Sequence, residues 1–170
     1  MLLDNEIAPI AIGGDDVITL PLPRAIHARH GNVAVVHFDA HTDIADGACG
    51  GRRNHGAMIY RAIEVISAED LSRIGCDGLK RRLARLVGEK VYVSFDIDFV
   101  DAAHAPRVDS PELAGPSSSA TLAAVRTLEG LDMIGFDPVE VAPPYDLRDL
   151  TCYLANFVPM EFVSITPPRA

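Results

Sequence analysis

The sequence predicts an α/β fold with a mainly parallel β-sheet and helices on both of its faces. Short apolar runs rich in Val and Ile alternate along the chain with segments of helical periodicity. These runs are continuous and do not alternate with polar residues, a pattern typical of strands that are covered on both faces, as in parallel sheets. The 170 residues suit one domain, which we place at residues 1–170.

The first half of the chain predicts two strands and two helices. A strand at residues 7–14 ends in a Gly-Gly turn, and a helix at 20–31 has prolines near its start and Gly31 at its end. The run "NVAVVHF" predicts a strand at 32–38. A further helix is predicted at 55–66.

The second half continues the alternation. A helix is predicted at 77–88 and a strand at 90–98. The next helix, at 117–130, has serines at its start and Gly130 at its end. A strand at 131–141, a helix at 147–158 and a short final strand at 161–165 complete the prediction.

Composition excludes several classes of function. No apolar run approaches the roughly 20 residues that span a bilayer, and the N-terminus lacks the basic region of a secretory signal. A net charge of −9 argues against nucleic acid as the main partner and is compatible with a cationic ligand. The three cysteines are widely spaced, which indicates packing residues in a reducing cytoplasm.

Polar residues gather where four predicted strands end. The strand ends read "GGDD", "DAHTD", "DID" and "EVAPPYD". Ligands of open parallel sheets bind beyond the carboxyl ends of the strands, so we expect these residues to converge at one edge.

The residue types at this edge favour a metal centre. Residues i and i+2 of an extended chain project to one side, so Asp39 can join His41, and Asp96 can join Asp98. A slight curl would add Asp43. Clustered carboxylates repel one another unless a cation neutralises them, and oxygen ligands with an imidazole favour Mn²⁺ or Mg²⁺. This set exceeds the needs of one ion, which favours two ions about 3.5–4 Å apart that hold a bridging hydroxide.

Each motif alone has a simpler interpretation. "DAHTD" is also compatible with a solvated turn, and "DID" with a helix cap or an Asx-turn. Their joint occurrence at consecutive strand ends favours ligands. We expect His37 to be a packing residue of its strand and not a ligand.

Three motifs in order resemble the signatures of the ureohydrolases, the arginase/agmatinase family. They are "IGGDD" followed by "ITLP", "VVHFDAHTD" and "VYVSFDIDFVD". "NHG" at residues 54–56 and "EVAPPYD" also resemble this family, and the latter is similar to its agmatinase branch. The similarity extends from about residue 10 to the C-terminus.

The resemblance implies a three-layer α/β/α fold (arginase-like), a binuclear Mn²⁺ centre and hydrolysis of a guanidinium group to an amine and urea. Within that centre it implies a role for each matching position. Asp39 and Asp96 would bridge the ions, His41 and Asp98 would complete one ion's shell and Asp43 the other's, His55 would shuttle a proton or orient substrate, and Glu140 would hold the guanidinium. Agmatine, cleaved to putrescine and urea, is the expected substrate, and a homo-oligomer the expected assembly.

The chain also departs from the family pattern. The first signature normally ends in a metal-binding histidine, and Asp16 stands at that position. The N-terminal segment and part of the stretch at 56–93 are shorter than in the family, so we expect an incomplete sheet. Two alternatives follow: a degenerate protein that binds metal or a partner without turnover, and a binuclear hydrolase of a phosphoester or acylated amine. The second is disfavoured because Glu140 would repel phosphate.

Overall fold

The computed structural model describes residues 7–19, 21–41 and 64–167, without the side chains of Asp16 and Val17. Within these ranges the chain forms four β-strands and four α-helices. The strands are β1 (Ala34–Phe38), β2 (Glu64–Ile66), β3 (Lys90–Asp96) and β4 (Asp132–Val139), and the helices are α1 (Pro21–His30), α2 (Ala68–Leu83), α3 (Ser118–Arg126) and α4 (Leu150–Ile165). None of these helices has the length and apolar character needed to cross a membrane.

The four strands form one parallel sheet in the order β2-β1-β3-β4. Phe38 on β1 pairs with Phe95 on β3, and Phe95 pairs with Pro138 on β4. The residues that follow these three positions therefore emerge together at one edge of the sheet. This register places the polar strand ends side by side, as expected for a parallel sheet.

Helices cover both faces of the sheet, so the predicted three-layer arrangement is confirmed. On one face, Ile26 of α1 packs against Tyr92 and Ile134. On the other face, α2, α3 and α4 bury the larger core, in which Phe136 of β4 lies 4.5 Å from Phe162 of α4 between ring centroids. Strands buried on both sides explain the continuous apolar runs in the sequence.

The predicted strand at 7–14 does not form a regular strand; the segment instead lies along the side of β4 that does not pair with β3. The Phe136 N–H donates to the Pro9 carbonyl at 3.0 Å, and the Ala11 N–H donates to the Phe136 carbonyl at 3.0 Å. A third bond links the Gly13 N–H to the Pro138 carbonyl at 3.2 Å. Pro138 has no N–H to donate in return, so the ladder is interrupted and only one bridge, at Ile10, is regular.

The predicted helix at 55–66 is wrong at its end, because Glu64–Ile66 form β2; its other residues lie outside the described ranges. The Glu64 carboxylate is buried and contacts the guanidinium groups of Arg82 and Arg85. A three-residue strand is too short to show a period in the sequence. Its tertiary partners decide its structure.

The helix predicted at 77–88 corresponds to α2, which begins at residue 68 and ends at residue 83, before the predicted bounds. α2 starts at Ala68, with the Ser67 hydroxyl accepting the Asp70 N–H at 3.0 Å as an N-cap. Gly75 interrupts it with a positive φ of 64°, so residue 77 falls just after a kink inside the element.

The predicted final strand at 161–165 is wrong, since α4 continues through it to Ile165. Pro159 lies inside the helix, where proline removes one backbone hydrogen bond. Leu154, Val158 and Phe162 are buried at helical spacing on one face. Burial of this face outweighs the lost hydrogen bond, so the helix does not end at the proline.

Replacing Phe162 by Ala should lower the free energy of unfolding by about 3–5 kcal/mol, because it opens a cavity beside Phe136. Phe157→Ala, at a half-exposed position of the same helix, should change it by about 0.5 kcal/mol or less. Urea denaturation of both variants measures the difference. Equal effects would contradict the helical phase of residues 161–165.

Candidate metal centre

Three aromatic rings pack together next to the polar ends of β1 and β3. Phe38, Phe95 and Phe99 are fully buried, and their ring centroids lie 5.5–5.8 Å apart in tilted and edge-to-face pairs. Phe38 precedes Asp39, and Phe95 precedes Asp96. The packed rings therefore fix the backbone from which these two carboxylates project.

The motifs that begin at Asp39 and Asp96 each form an Asx-type turn, and they also come together at the ends of β1 and β3. The His41 N–H donates to Asp39 Oδ1 at 2.6 Å, and the Asp98 N–H donates to Asp96 Oδ1 at 2.8 Å. β3 ends at Asp96, so Asp98 lies in the short 3-10 helix that follows and not, as predicted, within the strand. The turn and ligand interpretations of the sequence are thus compatible with each other.

Asp39, His41 and Asp98 could hold a metal ion. Each offers a ligand atom, and these atoms all lie within 4.8 Å of one another. His41 Nδ1 lies 2.8 Å from Asp98 Oδ2 and 3.5 Å from Asp39 Oδ1. The Ala40 N–H also donates to Asp98 Oδ1 at 3.2 Å, which ties the end of β1 to the end of β3.

The electrostatics of this edge fit a cation. Burial raises the pKa of Asp96 well above its usual value, and the neighbouring charges of Asp98, Asp39 and Glu140 raise it further. Burial also raises the pKa of Asp98. Carboxylates that destabilise one another's charged forms are stabilised by a divalent ion between them. A ligand set of carboxylate oxygens and one imidazole nitrogen is suited to Mn²⁺ or Mg²⁺.

His37 is a packing residue, as expected, but it also contacts the site. Its ring is fully buried, and burial lowers its pKa to about 3. The neutral ring lies with Nε2 2.6 Å from Asp39 Oδ2. When Nε2 carries the ring proton, His37 donates to Asp39 and restricts the orientation of its carboxylate.

Glu140 follows the last residue of β4 and has an unusual backbone. Its φ of +65° is left-handed, a conformation that costs free energy for a residue with a side chain. The Glu140 N–H donates to the Gly14 carbonyl at 2.7 Å, which holds this conformation against the "GGDD" segment. Strained backbone of this kind is concentrated at functional sites.

The structure brings together only part of the predicted site. Asp39, His41, Asp96 and Asp98 meet at the edge, and the charge of Glu140 acts on Asp96. Asp43 and His55 lie outside the described residues. Asp16 begins a 3-10 helix at Asp16–Thr19, but its side chain is also outside them.

Sequence analysis missed a buried polar network centred on Asp137. The Tyr92 hydroxyl donates to Asp137 Oδ2, and the Thr19 hydroxyl donates to Asp137 Oδ1 at 3.1 Å. Thr19 also lies 3.0 Å from the Ser94 hydroxyl. The network joins β4, β3 and the 3-10 helix that begins at Asp16. The available signal was a lone acid inside the buried strand "MIGFDPV".

Comparison with known proteins decides the family. The Arginase family model matches residues 1–81 and 60–164. Together these ranges cover most of the chain. This chain belongs to the Arginase family.

Individual relatives agree with the family match. The Arginase-family chain is 34% identical to a guanidinobutyrase of Pseudomonas aeruginosa over 200 residues, which cover 98% of this chain and 63% of the relative. It is 37% identical to an agmatinase of Edwardsiella ictaluri over 183 residues, with 92% and 59% covered. The crystal structure of a hypothetical agmatinase from Burkholderia thailandensis superposes with a TM-score of 0.86 at 33% identity, with 96% and 61% covered.

The Arginase-family chain spans about three fifths of the length of these relatives. The alignment with the guanidinobutyrase covers 200 positions, more than the 170 residues of this chain, so the relative has residues within the matched region that this chain lacks. This agrees with the predicted internal shortening.

The Asp137 carboxyl should make folding stability depend on pH. Burial raises the pKa of this carboxyl to about 6 from its ordinary value of 3.8, although its hydrogen bonds oppose the change. The folded state therefore binds more protons than the unfolded state between these values, so this group's contribution to stability falls as pH rises from about 4 to 6. Asp137→Asn removes that term, so its stability relative to wild type should rise by about 2–3 kcal/mol between pH 4 and pH 7.

Urea denaturation across this pH range measures the change. Asp132→Asn, at the exposed start of the same strand, is the control; it removes a carboxyl that contacts Lys90 at the surface, and its free energy of unfolding should differ from that of wild type by less than about 1 kcal/mol. A constant difference between Asp137→Asn and wild type would show that the carboxyl does not titrate in this range.

Proposed function

We propose that this protein is a Mn²⁺-dependent hydrolase of a guanidino compound, with agmatine as the preferred substrate and putrescine and urea as products. The observation that carries the proposal is the meeting of Asp39, His41 and Asp98 beside the raised-pKa carboxyl of Asp96, at the edge where Glu140 also lies. Family membership supplies the reaction class.

The described residues would form the shell of one ion and contribute to the second. Asp39 and Asp96 would bridge two ions. His41 and Asp98 would complete the coordination of one ion, and Asp43 and Asp16 would complete the coordination of the other. When bound, such ions supply Lewis-acid activation of water near neutral pH. His37 would hold Asp39 in its bridging orientation through the 2.6 Å contact.

Glu140 would bind the guanidinium group. A guanidinium delocalises its charge and is a poor electrophile, so its carbon must be held close to the activated water. A carboxylate can accept two of its N–H groups through charge-assisted hydrogen bonds. Two observations support this role: the charge of Glu140 acts on Asp96, and its left-handed backbone is of the strained kind that is concentrated at functional sites. His55 would orient the substrate or carry a proton.

Two classes of substrate compete. Agmatine is favoured by the "EVAPPYD" motif, by the agmatinase that this chain is similar to, and by the net charge of −9, which attracts a dication. The similarity to a guanidinobutyrase brings guanidino acids into the test panel.

A degenerate protein that binds metal without turnover is the second candidate. Asp16 at the position of a metal-binding histidine favours it, as do the residues that this chain lacks within the region matched to the guanidinobutyrase. The number of ions retained after dialysis separates the two: two tightly held Mn²⁺ ions support an enzyme, and one or none supports degeneracy.

We also propose that the protein is cytoplasmic and forms a homo-oligomer. Size-exclusion chromatography with light scattering measures the oligomeric state. A monomer at all concentrations would contradict it.

Purified protein with added Mn²⁺ should release urea from agmatine, and Glu140→Gln should lower kcat/KM by about 10- to 100-fold, the worth of a hydrogen bond to a charged group. Mn²⁺ affinity should fall far less than kcat/KM, because in this assignment Glu140 contacts the substrate and acts on the metal ligands only through its charge near Asp96. A urea assay and a Mn²⁺ titration measure the two quantities.

Glu129→Gln is the matched control, since Glu129 is exposed near the start of β4, at the opposite edge of the sheet. The proposed activity is refuted if folded wild-type protein with bound Mn²⁺ releases no urea from agmatine or guanidino acids. Equal loss of Mn²⁺ affinity and turnover in Glu140→Gln would refute the substrate role of Glu140 alone.

Replacing Asp16 by His should strengthen binding of the second Mn²⁺ ion and raise the rate of urea release. A neutral imidazole restores the family's ligand type and removes one charge from a crowded acidic edge. Asp15→His, one residue earlier, controls for the general effect of the charge change. Equal Mn²⁺ affinities for the two variants, measured by calorimetry, would show that residue 16 is not a ligand.

A further inference from the structure

The His41 ring lies between two carboxylates that approach it from different sides. Nδ1 faces the group of candidate ligands, 2.8 Å from Asp98 Oδ2. Nε2 faces away from that group and lies 3.1 Å from Glu112 Oε1. Glu112 is therefore next to the ring nitrogen that an ion held by Asp39, His41 and Asp98 would not use.

Glu112 belongs to the loop at residues 106–116, which is anchored near two of the site's strand ends. At its start, Val108 forms a bridge with Val141, directly after Glu140. At its end, the Asp101 N–H donates to the Pro116 carbonyl at 3.1 Å. Loops tied at both ends can hold a side chain in a defined position.

The anchoring extends to Glu112 itself. Its carbonyl accepts the Ala102 N–H at 3.0 Å. Gly115 lies so close to the chain that a Cβ there would be 2.4 Å from the Asp101 nitrogen. Only glycine permits this close approach, so the end of the loop packs directly against the backbone that follows Asp98.

We propose that Glu112 is a positioning residue that holds the His41 ring for metal binding through its contact with Nε2. The proposal rests on the proposed metal site. A metal-binding histidine commonly donates its second ring N–H to a carboxylate, which fixes the tautomer and the ring orientation and leaves the other nitrogen free for the ion. Glu112 supplies that acceptor, and Nδ1 is the nitrogen left for the ion.

The chemistry distinguishes this role from two others. If Glu112 were itself a ligand, an amide would replace it poorly, because the ligand's charge would be lost. If Glu112 acted only as a remote negative charge, any acid on the same loop would serve equally. A positioning residue needs an acceptor at this place, which glutamine supplies.

Mn²⁺ titration of the full chain, followed by the electron paramagnetic resonance signal of free Mn²⁺, tests the proposal without reference to turnover. Glu112→Ala should weaken binding of one ion by about 10- to 100-fold, the usual effect of removing a carboxylate partner of a ligand histidine. Glu112→Gln should recover most of the affinity. Asp109→Asn, at an exposed acid of the same loop, should match wild type.

Each outcome decides a specific point. Equal affinities for Glu112→Ala and wild type would overturn the proposal, and so would equal losses in the Ala and Gln variants, which would make Glu112 a ligand. If Asp109→Asn loses as much Mn²⁺ affinity as Glu112→Ala, the effect depends only on the negative charge of the loop, and this outcome would also overturn the proposal. Wild-type protein that binds Mn²⁺ yet releases no urea refutes the proposed activity and leaves this inference intact, whereas wild type that binds no Mn²⁺ refutes both.

Discussion

Mutual repulsion among buried carboxylates is the constraint on which the site depends. Asp39, Asp96 and Asp98 lie at the ends of two adjacent parallel strands, and all three are buried. Burial of Asp96 raises the pKa of its carboxyl, and the charges of Asp98 and Asp39 raise it further. An arrangement of this kind is costly for a bare fold and becomes favourable with a cation, which is why it indicates metal binding more strongly than any one motif.

The surrounding structure holds this unfavourable group in place. The rings of Phe38, Phe95 and Phe99 pack below it and leave its backbone little freedom. Side chains then act on its members: His37 contacts Asp39, and Glu112 contacts His41. Ligands held by packed elements and by hydrogen-bond partners are preorganised, so little ordering is left for the ion to impose.

Prediction succeeded where a local pattern and the tertiary structure agree, and failed where they differ. The end of β1 was predicted correctly, and the ends of β3 and β4 were each placed two residues too late, because continuous apolar runs stop near acidic residues. Residues 64–66 were assigned to a helix, because a run this short has no resolvable period. Residues 161–165 were assigned to a strand as a short apolar run, but the packing of Phe162 against Phe136 keeps them in α4.

The sequence by itself determined the parallel sheet, the family resemblance and the acids that gather where strands end, since the positions of strands and of their ends follow from apolar runs and their limits. Only the tertiary structure decided which groups act on those acids. The Asp137 network and the contact between Glu112 and His41 join residues that are 45–118 and 71 positions apart. No local pattern encodes such pairings, because they arise from the register of the strands and the anchoring of the loops between them.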